Sequence, residues 1–161
     1  MQINPERDLV LDRLLKAPPH LVWRCWTDPQ LFCQWYCPKP WYVSEAVLEM
    51  RAGGRFFMVM NGPEGQRFPI EGSFLEVVPE RKIVFTDLMG PDFAPFDIPD
   101  TSTGPSFTAV LTFEPEGRGT RHRSVARHRS AKDAAENKDS GFEAGWGICA
   151  DQLDALSASL M

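Results

Sequence analysis

The chain has 161 residues, of which 43% are hydrophobic and 24% charged, and these proportions are ordinary for a soluble globular protein. A chain of this length can bury one sizeable core, so we expect a single domain over residues 1–161. The net charge of -5 disfavours nucleic acid and anionic membrane as partners, because phosphate binding needs a concentrated basic face.

The first part of the chain combines a strand with two short helices. Alternation predicts a strand over Asp8–Lys16, which the following proline pair ends. Helices are predicted over His20–Trp26 and Pro29–Trp35, with Thr27 or Asp28 as the cap of the second and Pro29 as its first residue. Three indoles lie within thirteen positions here: Trp23, Trp26 and Trp35. So much apolar surface predicts that the segment packs against a sheet or lines a cavity.

Six further strands follow, to judge from the alternation of apolar and polar residues. They are expected at Val43–Met50, Arg55–Met60, Arg67–Val78, Lys82–Leu88, Phe107–Glu114 and Thr120–His128. Short turns join most of them, which requires antiparallel neighbours. The proline-rich stretch Gly90–Pro105 predicts a long loop over the mouth of a cavity. The basic run Arg118–Arg129 is expected to be a solvated strand face rather than a patch for nucleic acid.

Residues 130–160 have the pattern of a long amphipathic helix. Ser130 is a plausible cap with Asp133 three residues later, and Ser140–Gly141 could interrupt the helix. Apolar residues recur at intervals of three and four: Phe142, Trp146, Cys149, Leu153, Leu156 and Leu160. The fold class is therefore α+β, with an antiparallel sheet of about seven strands curled around the C-terminal helix and a pocket between them.

Motifs spread over almost the entire chain carry a family resemblance. They are Arg13-x-x-x-Ala17-Pro18, Val22-Trp23-x-x-Trp26-Thr27-Asp28-Pro29, Trp35, Arg51-x-Gly53-Gly54-Arg55-Phe56, Gly72-x-Phe74, Pro79-Glu80-Arg81, Gly119-Thr120-Arg121 and Gly145-Trp146-x-x-x-x-Asp151-Gln152-Leu153. In this order they resemble the SRPBCC superfamily, the helix-grip fold of START lipid-transfer and birch-pollen-allergen-like proteins. Within it, the chain is similar to the family named for the activator of the 90-kDa heat-shock protein's ATPase.

The resemblance implies a deep hydrophobic cavity but not one function. Relatives include stress-associated chaperone partners, polyketide aromatases and cyclases, and resistance proteins that bind an enediyne antibiotic. Eukaryotic chaperone activators of this family carry an additional N-terminal domain that grips the chaperone, and we expect none here because the sequence starts directly at the first strand.

Strand alternation identifies the residues expected to face the helix and bind a ligand. They are Trp35, Phe56, Met58, Met60, Gly72, Phe74, Phe85, Phe107, Ala109, His122, Ser124 and Trp146. The alternative is that these side chains only fill the core, as aromatic residues and methionines usually do at a sheet–helix interface. The small residues Gly72 and Ala109 favour a cavity, because missing side-chain volume leaves room. Polar candidates inside are His122, Ser124, His128, Tyr36 and Glu71.

No catalytic set, cofactor motif or metal site is predicted. The sequence has no Ser-His-Asp order, nucleotide-binding glycine loop or paired-carboxylate motif. Cys33 and Cys37 could share a helical face, but no second Cys or His pair has the spacing to complete a zinc site. Residues 1–8 do not resemble a signal peptide, and no apolar run reaches the length of a membrane span, so we expect a cytoplasmic protein with reduced thiols.

Three hypotheses follow. The first is a non-enzymatic protein that binds a small hydrophobic or aromatic molecule, with His122 or Tyr36 orienting a polar group. The second is an interaction protein that contacts a chaperone or another partner through its sheet surface or loop. The third is a cyclase- or aromatase-like enzyme, which needs a base such as His122. The oligomeric state stays open, with a homodimer as one option.

Overall fold

The computed structural model describes residues 1–95 and 104–161. The elements are β1 (Asp8–Leu15), α1 (Pro19–Thr27), α2 (Pro29–Phe32), β2 (Tyr42–Leu48), β3 (Arg55–Asn61), β4 (Arg67–Val78), β5 (Lys82–Thr86), β6 (Met89–Gly90), β7 (Ala94–Pro95), β8 (Phe107–Glu116), β9 (Gly119–His128), α3 (Ala131–Asp139) and α4 (Phe142–Ser159). Seven strands form an antiparallel sheet in the order β1-β9-β8-β5-β4-β3-β2, and α4 packs against it. The predicted α+β helix-grip architecture is confirmed.

The strand order makes α1 and α2 part of the interior. β1 and β2 follow one another in the chain but lie at opposite edges of the sheet, so the two helices between them must cross its open side. α1 contacts β8, β9 and α4, while α2 contacts β2. This crossing explains why the segment is so rich in tryptophan, since it fills the space between the sheet and α4.

The facing of β3 agrees with its alternation. Phe56 and Met58 are buried and turn towards the space below α4. Arg55 and Phe57 share the other face, where the guanidinium carbon lies 4.3 Å from the centre of the ring. A one-residue slip would exchange these two sets, so the pairing of β3 with β4 decides which rings reach the interior.

The second helix is shorter than predicted. Asp28 caps it, accepting a hydrogen bond of 2.9 Å from the Gln30 backbone N–H. α2 then ends at Phe32 instead of continuing to Trp35. The following backbone turns towards α4, where the side-chain amide of Gln152 donates to the carbonyls of Trp35 and Cys37 at 2.9 and 2.7 Å.

The C-terminal region consists of two helices. Gly141 has a left-handed backbone with φ of 96° and separates α3 from α4. Ser130 caps α3 by accepting a hydrogen bond of 3.1 Å from the Asp133 N–H, as predicted. The Asp133 carboxylate, however, pairs with Arg129 at 3.2 Å. The apolar stripe therefore belongs to α4 and does not run along one rod from residue 130 to residue 160.

The start of the proline-rich stretch contains two short strands. β5 ends at Thr86, two residues before the predicted end, and the short strands β6 and β7 then pair with each other. The turn between them is fixed on the β2–β3 connection, because the Asp92 N–H donates to the Gly53 carbonyl at 2.7 Å. Half of the predicted loop over the cavity mouth, residues 96–103, lies outside the described residues.

Candidate ligand-binding cavity

Two hollows lie between the sheet and α4. The larger has a volume of about 390 Å³, and the smaller has a volume of about 50 Å³. They have six wall residues in common: Tyr36, Phe85, Phe107, Phe142, Trp146 and Cys149. The larger lies within the usual range of small-molecule sites, roughly 300–1,000 Å³. The smaller lies well below this range.

Ten of the twelve predicted ligand-binding residues line these hollows. The larger is lined by Phe56, Met58 and Met60, the smaller by Trp35, Ala109, His122 and Ser124, and both by Phe85, Phe107 and Trp146. Strand alternation brought these residues to one face, but their division between two hollows depends on packing. The large hollow lies towards the β3–β4 hairpin, where Met60 and Phe68 are a cross-strand pair.

Gly72 and Phe74 are the two exceptions. Gly72 was predicted to leave room for a ligand, but a Cβ there would collide with the Thr86 carbonyl of the neighbouring strand. This glycine therefore allows β4 and β5 to approach closely and leaves no free volume. Phe74 is buried and packs edge-on against Phe56 at 5.6 Å and Phe85 at 6.3 Å between ring centres, so it supports wall residues from behind.

His122 is a structural histidine with both ring nitrogens engaged. Its Nδ1 lies 2.9 Å from the Thr112 carbonyl, and its Nε2 accepts from the Trp26 indole N–H at 3.3 Å. Since the indole can only donate, the neutral tautomer with hydrogen on Nδ1 satisfies both contacts. Burial lowers the pKa of His122 to about 4. Neither nitrogen is free to orient a ligand or to act as the base that the cyclase hypothesis requires.

The two buried tryptophans of the crossing segment form a dense aromatic cluster. Trp26 packs edge-on against Trp35 at 4.6 Å between ring centres, and Tyr36 stacks on Phe32 at 4.3 Å. The Trp35 indole donates to the Cys25 carbonyl at 2.8 Å. The polar edges of both indoles are thus satisfied by the protein itself, as buried indoles require.

The polar groups of the larger cavity are Tyr36 and Asp87, together with Asn137 and Ser140. The Tyr36 hydroxyl makes no hydrogen bond with a described residue, and burial raises the pKa of Tyr36 well above its usual range. Asp87 accepts a hydrogen bond of 3.0 Å from the Phe107 N–H, yet burial raises the pKa of its carboxyl. Sequence analysis named Tyr36 but missed Asp87, because it placed this residue inside the strand predicted over Lys82–Leu88, whereas β5 ends at Thr86.

Of the other polar candidates, Ser124 lines the smaller hollow, whereas Glu71 and His128 line neither. Glu71 was expected inside, but it forms a bidentate ion pair of 2.7 and 3.0 Å with Arg55 on the outer face of the sheet. His128 is held at both nitrogens, by the Arg7 carbonyl at 3.0 Å and by Nδ2 of Asn137 at 2.9 Å. The predicted inward position of Glu71 is therefore wrong, because that position of β4 lies opposite Phe57 on the outer face.

The cysteines are free thiols in apolar surroundings. Burial raises the pKa of Cys25 to about 11 and those of Cys37 and Cys149 to about 12. A thiol with such a pKa is a poor nucleophile at neutral pH. Within residues 1–95 and 104–161, no cluster of three His, Cys, Asp or Glu side chains has the arrangement of a metal site.

Gln152 is a structural residue whose role sequence reasoning missed. Besides donating to two carbonyls of the crossing segment, its Oε1 accepts a hydrogen bond of 3.1 Å from the Lys39 N–H. One side chain on α4 thus fixes the backbone that carries Trp35 and Tyr36. Gln152 belongs to the Gly145–Leu153 motif of the family resemblance, but the motif does not show which groups the side chain contacts.

The arginines of the basic run are largely paired with carboxylates. Arg121 contacts Glu116 at 2.9 Å and Asp12 at 3.3 Å, and Arg127 contacts Asp8 at 3.2 Å. These ion pairs leave fewer cations for phosphate and support the expectation that nucleic acid is not a partner, which stays a prediction. None of the helices in the described part of the chain is long and apolar enough to span a membrane.

Comparisons with known proteins agree on one family. The profile of the family described as Activator of Hsp90 ATPase homolog 1-like protein matches residues 16–158. A crystal structure from Nitrosomonas europaea is 37% identical, with 98% of this chain and 97% of that chain covered and a TM-score of 0.91. One from Mycobacterium smegmatis is 26% identical, with 94% and 90% covered and a TM-score of 0.76.

An AHSA1-like protein from Aeromonas hydrophila, solved by NMR, has 16% identity and a TM-score of 0.70, with 95% of this chain and 93% of that chain covered. At this level of identity the likeness concerns the fold alone. A search of the curated proteins found no match for this chain. The comparisons thus identify a family and an architecture, and they leave the ligand to be argued from the cavity.

Proposed function

This chain belongs to the Activator of Hsp90 ATPase homolog 1-like family, and we propose that it binds a small hydrophobic or aromatic molecule in its larger cavity without transforming it. The observation that carries the proposal is a hollow of about 390 Å³ below α4 with a wall of aromatic rings and methionines. Burial of an apolar ligand there would be favourable by about 25 cal/mol for each Å² removed from water.

Features of the wall support binding over simple packing. Met58 and Met60 are flexible side chains that adapt to different guests. Gly145 faces the hollow from α4, and a Cβ at this position would meet no atom within 4 Å. A larger side chain at this position would extend the apolar stripe of the helix into unoccupied space.

Gly145 provides a direct test. The fluorescent apolar probe N-phenyl-1-naphthylamine is titrated into the wild-type protein and into Gly145→Leu. We expect the wild-type protein to bind the probe and Gly145→Leu to bind it at least about ten-fold more weakly, because the leucine occupies the cavity. The variant should fold normally, since leucine favours a helix by about 0.8 kcal/mol relative to glycine.

The matched control is Ala144→Leu, which adds the same side chain at the neighbouring, exposed position of α4. This variant should bind the probe like the wild-type protein. The proposal would have to be abandoned if the wild-type protein did not bind the probe. It would also have to be abandoned if Gly145→Leu and Ala144→Leu had the same dissociation constant for the probe.

A chaperone-interacting role is a second proposal, and the name of the family favours it. Val10 and Leu14 offer an apolar surface for such contact, because both are exposed on the edge strand β1. Pull-down of a purified 90-kDa chaperone by the wild-type protein, weakened by Leu14→Glu, would support this role. Absence of retention at micromolar concentration would count against it.

A further inference from the structure

The described wall of the larger cavity carries few polar side chains: Tyr36, Asp87, Asn137 and Ser140. The wall consists mainly of rings and methionines, whereas Asp87 approaches from the end of β5 and Asn137 from α3. Tyr36 reaches the same hollow from the crossing segment, and the charge of Asp87 is close enough to contribute to the raised pKa of Tyr36. A ligand that fills the cavity therefore meets these groups together.

The protein positions the Asp87 carboxylate but does not use all of the hydrogen bonds that this carboxylate can accept. Its Oδ1 accepts a hydrogen bond from the Phe107 N–H at 3.0 Å, and the Ser106 hydroxyl and its own backbone N–H also interact with the carboxylate. An ionised carboxylate can accept about four hydrogen bonds. Asn137 also lines the cavity and carries an amide oxygen, a second acceptor, while its Nδ2 contacts Nε2 of His128 at 2.9 Å. The polar part of the wall is thus rich in acceptors.

No positive group among the described wall residues balances this carboxylate. The described wall of the larger cavity contains neither lysine nor arginine, and Asp87 is its only carboxylate. His128 lies outside this wall; its ring nitrogens contact the Arg7 carbonyl at 3.0 Å and the Asn137 amide at 2.9 Å, and its effect on the pKa of Asp87 is smaller than that of burial. An anionic head group placed here would face a carboxylate across a partly desolvated space, which is unfavourable.

We propose that the cavity selects ligands with an apolar body and a hydrogen-bond-donating head group, a hydroxyl or an amine, which donates to Asp87, and that it rejects ligands with a carboxylate or sulfonate head. A hydroxyl head also accepts a hydrogen bond from Tyr36. This inference rests on the proposed ligand-binding function and adds the chemical class of the ligand. Hydrogen bonds to a charged acceptor are stronger than neutral ones, which makes Asp87 the main determinant of selectivity.

Three compounds with one ring system and different head groups test the proposal. They are 1-naphthylmethylamine, 1-naphthalenemethanol and 1-naphthoic acid. Their dissociation constants are measured at pH 7 by displacement of N-phenyl-1-naphthylamine from the wild-type protein, Asp87→Asn and Glu143→Gln. Asparagine can still accept from the Phe107 N–H, so the local backbone is kept. Glu143 is exposed on α4, and its variant changes the net charge equally without altering the cavity.

For the wild-type protein we expect the amine and the alcohol to bind at least about ten-fold more tightly than the acid. This ratio should fall to within about three-fold in Asp87→Asn and stay unchanged in Glu143→Gln. Equal binding of the three compounds by the wild-type protein, or an unchanged ratio in Asp87→Asn, would overturn the inference and leave the proposed function standing. Failure of the wild-type protein to bind the probe or any of the compounds would overturn the proposed function itself.

Discussion

The two ends of the space between sheet and α4 are built from similar residues but differ in how completely they are filled. At the packed end, around Trp26, Trp35 and His122, aromatic rings meet edge to face and the ring nitrogens are paired. At the open end, around Met60, Asp87 and Gly145, a hollow of about 390 Å³ remains, and the Asp87 carboxylate can accept further hydrogen bonds. Both ends lie in one interface between the same sheet and helix.

The difference shows how a single core can be tightly packed at one end and able to bind a ligand at the other. Well-packed rings with satisfied polar edges form one favoured arrangement, because any displacement leaves a buried donor unpaired. Flexible methionines beside a glycine leave volume that other atoms can occupy. We therefore expect stability to be concentrated at the packed end and ligand selectivity at the open end.

The largest expected contrast compares truncations at the two ends. Trp26→Ala should lower the free energy of unfolding by about 3–5 kcal/mol, because it removes a buried ring and leaves Nε2 of His122 without a donor. Met60→Ala should cost about 1 kcal/mol or less, since this side chain already borders empty space. Urea denaturation of both variants measures the difference. Equal losses would show that the two ends are not distinct.

The packed end should also control the dependence of stability on pH. The pKa of His122 is lowered from 6.5 to about 4, so this histidine binds a proton more weakly when the protein is folded. Its stabilising contribution is complete above pH 6.5 and is lost as the pH falls towards 4. At about 1.4 kcal/mol for each pKa unit, the loss between pH 7 and pH 4.5 is about 2–3 kcal/mol.

His122→Gln removes this titration while an amide can still contact Trp26 and Thr112. Urea denaturation at pH 7 and pH 4.5 should show a loss of free energy that is about 2–3 kcal/mol smaller in the variant than in the wild-type protein. Asp12 contributes a weak opposing effect on the pKa of His122, and it is present in both proteins. If the wild-type protein and His122→Gln lost the same free energy of unfolding between pH 7 and pH 4.5, His122 would not be the group responsible for the pH dependence.

Gln152 holds the backbone segment that carries Trp35, at the packed end, and Tyr36, which lines both hollows. Gln152→Ala leaves the carbonyls of Trp35 and Cys37 and the N–H of Lys39 without this partner, so we expect a loss of about 2 kcal/mol. Asp151→Ala, at the exposed neighbouring position, should change stability by less than about 0.5 kcal/mol. Thermal or urea unfolding of the pair measures the effect. Similar values for both variants would contradict a specific role for Gln152.

The smallest change concerns the fluorescence of the tryptophans. Trp146 lines both hollows, whereas Trp23 lines neither and packs edge-on against Phe113. Trp146→Phe should therefore remove more than about half of any ligand-induced change in intrinsic fluorescence, and Trp23→Phe should preserve it. Titration of 1-naphthalenemethanol into both variants makes the comparison. A larger loss in Trp23→Phe would place the ligand elsewhere.

Several features of the fold could be predicted because they are local or periodic. Alternation placed Phe56 and Met58 on the inner face, proline and aspartate signals located the start of α2 at Pro29, and Ser130 was identified as a cap. Prediction failed where a distant residue decides the outcome. Gly72 is small because the Thr86 carbonyl lies against it, and Glu71 turns outward to pair with Arg55.

The sequence by itself determined the order of the elements, the facing of most strands and the family, since these follow from side-chain periodicity and from short motifs. Only the tertiary structure decided where the interior is filled and where it is hollow. Whether His122 is a base or a core residue depends on Trp26, which is 96 positions away in the chain. Free volume and hydrogen-bond saturation are properties of side chains brought together by folding, and no local pattern records them.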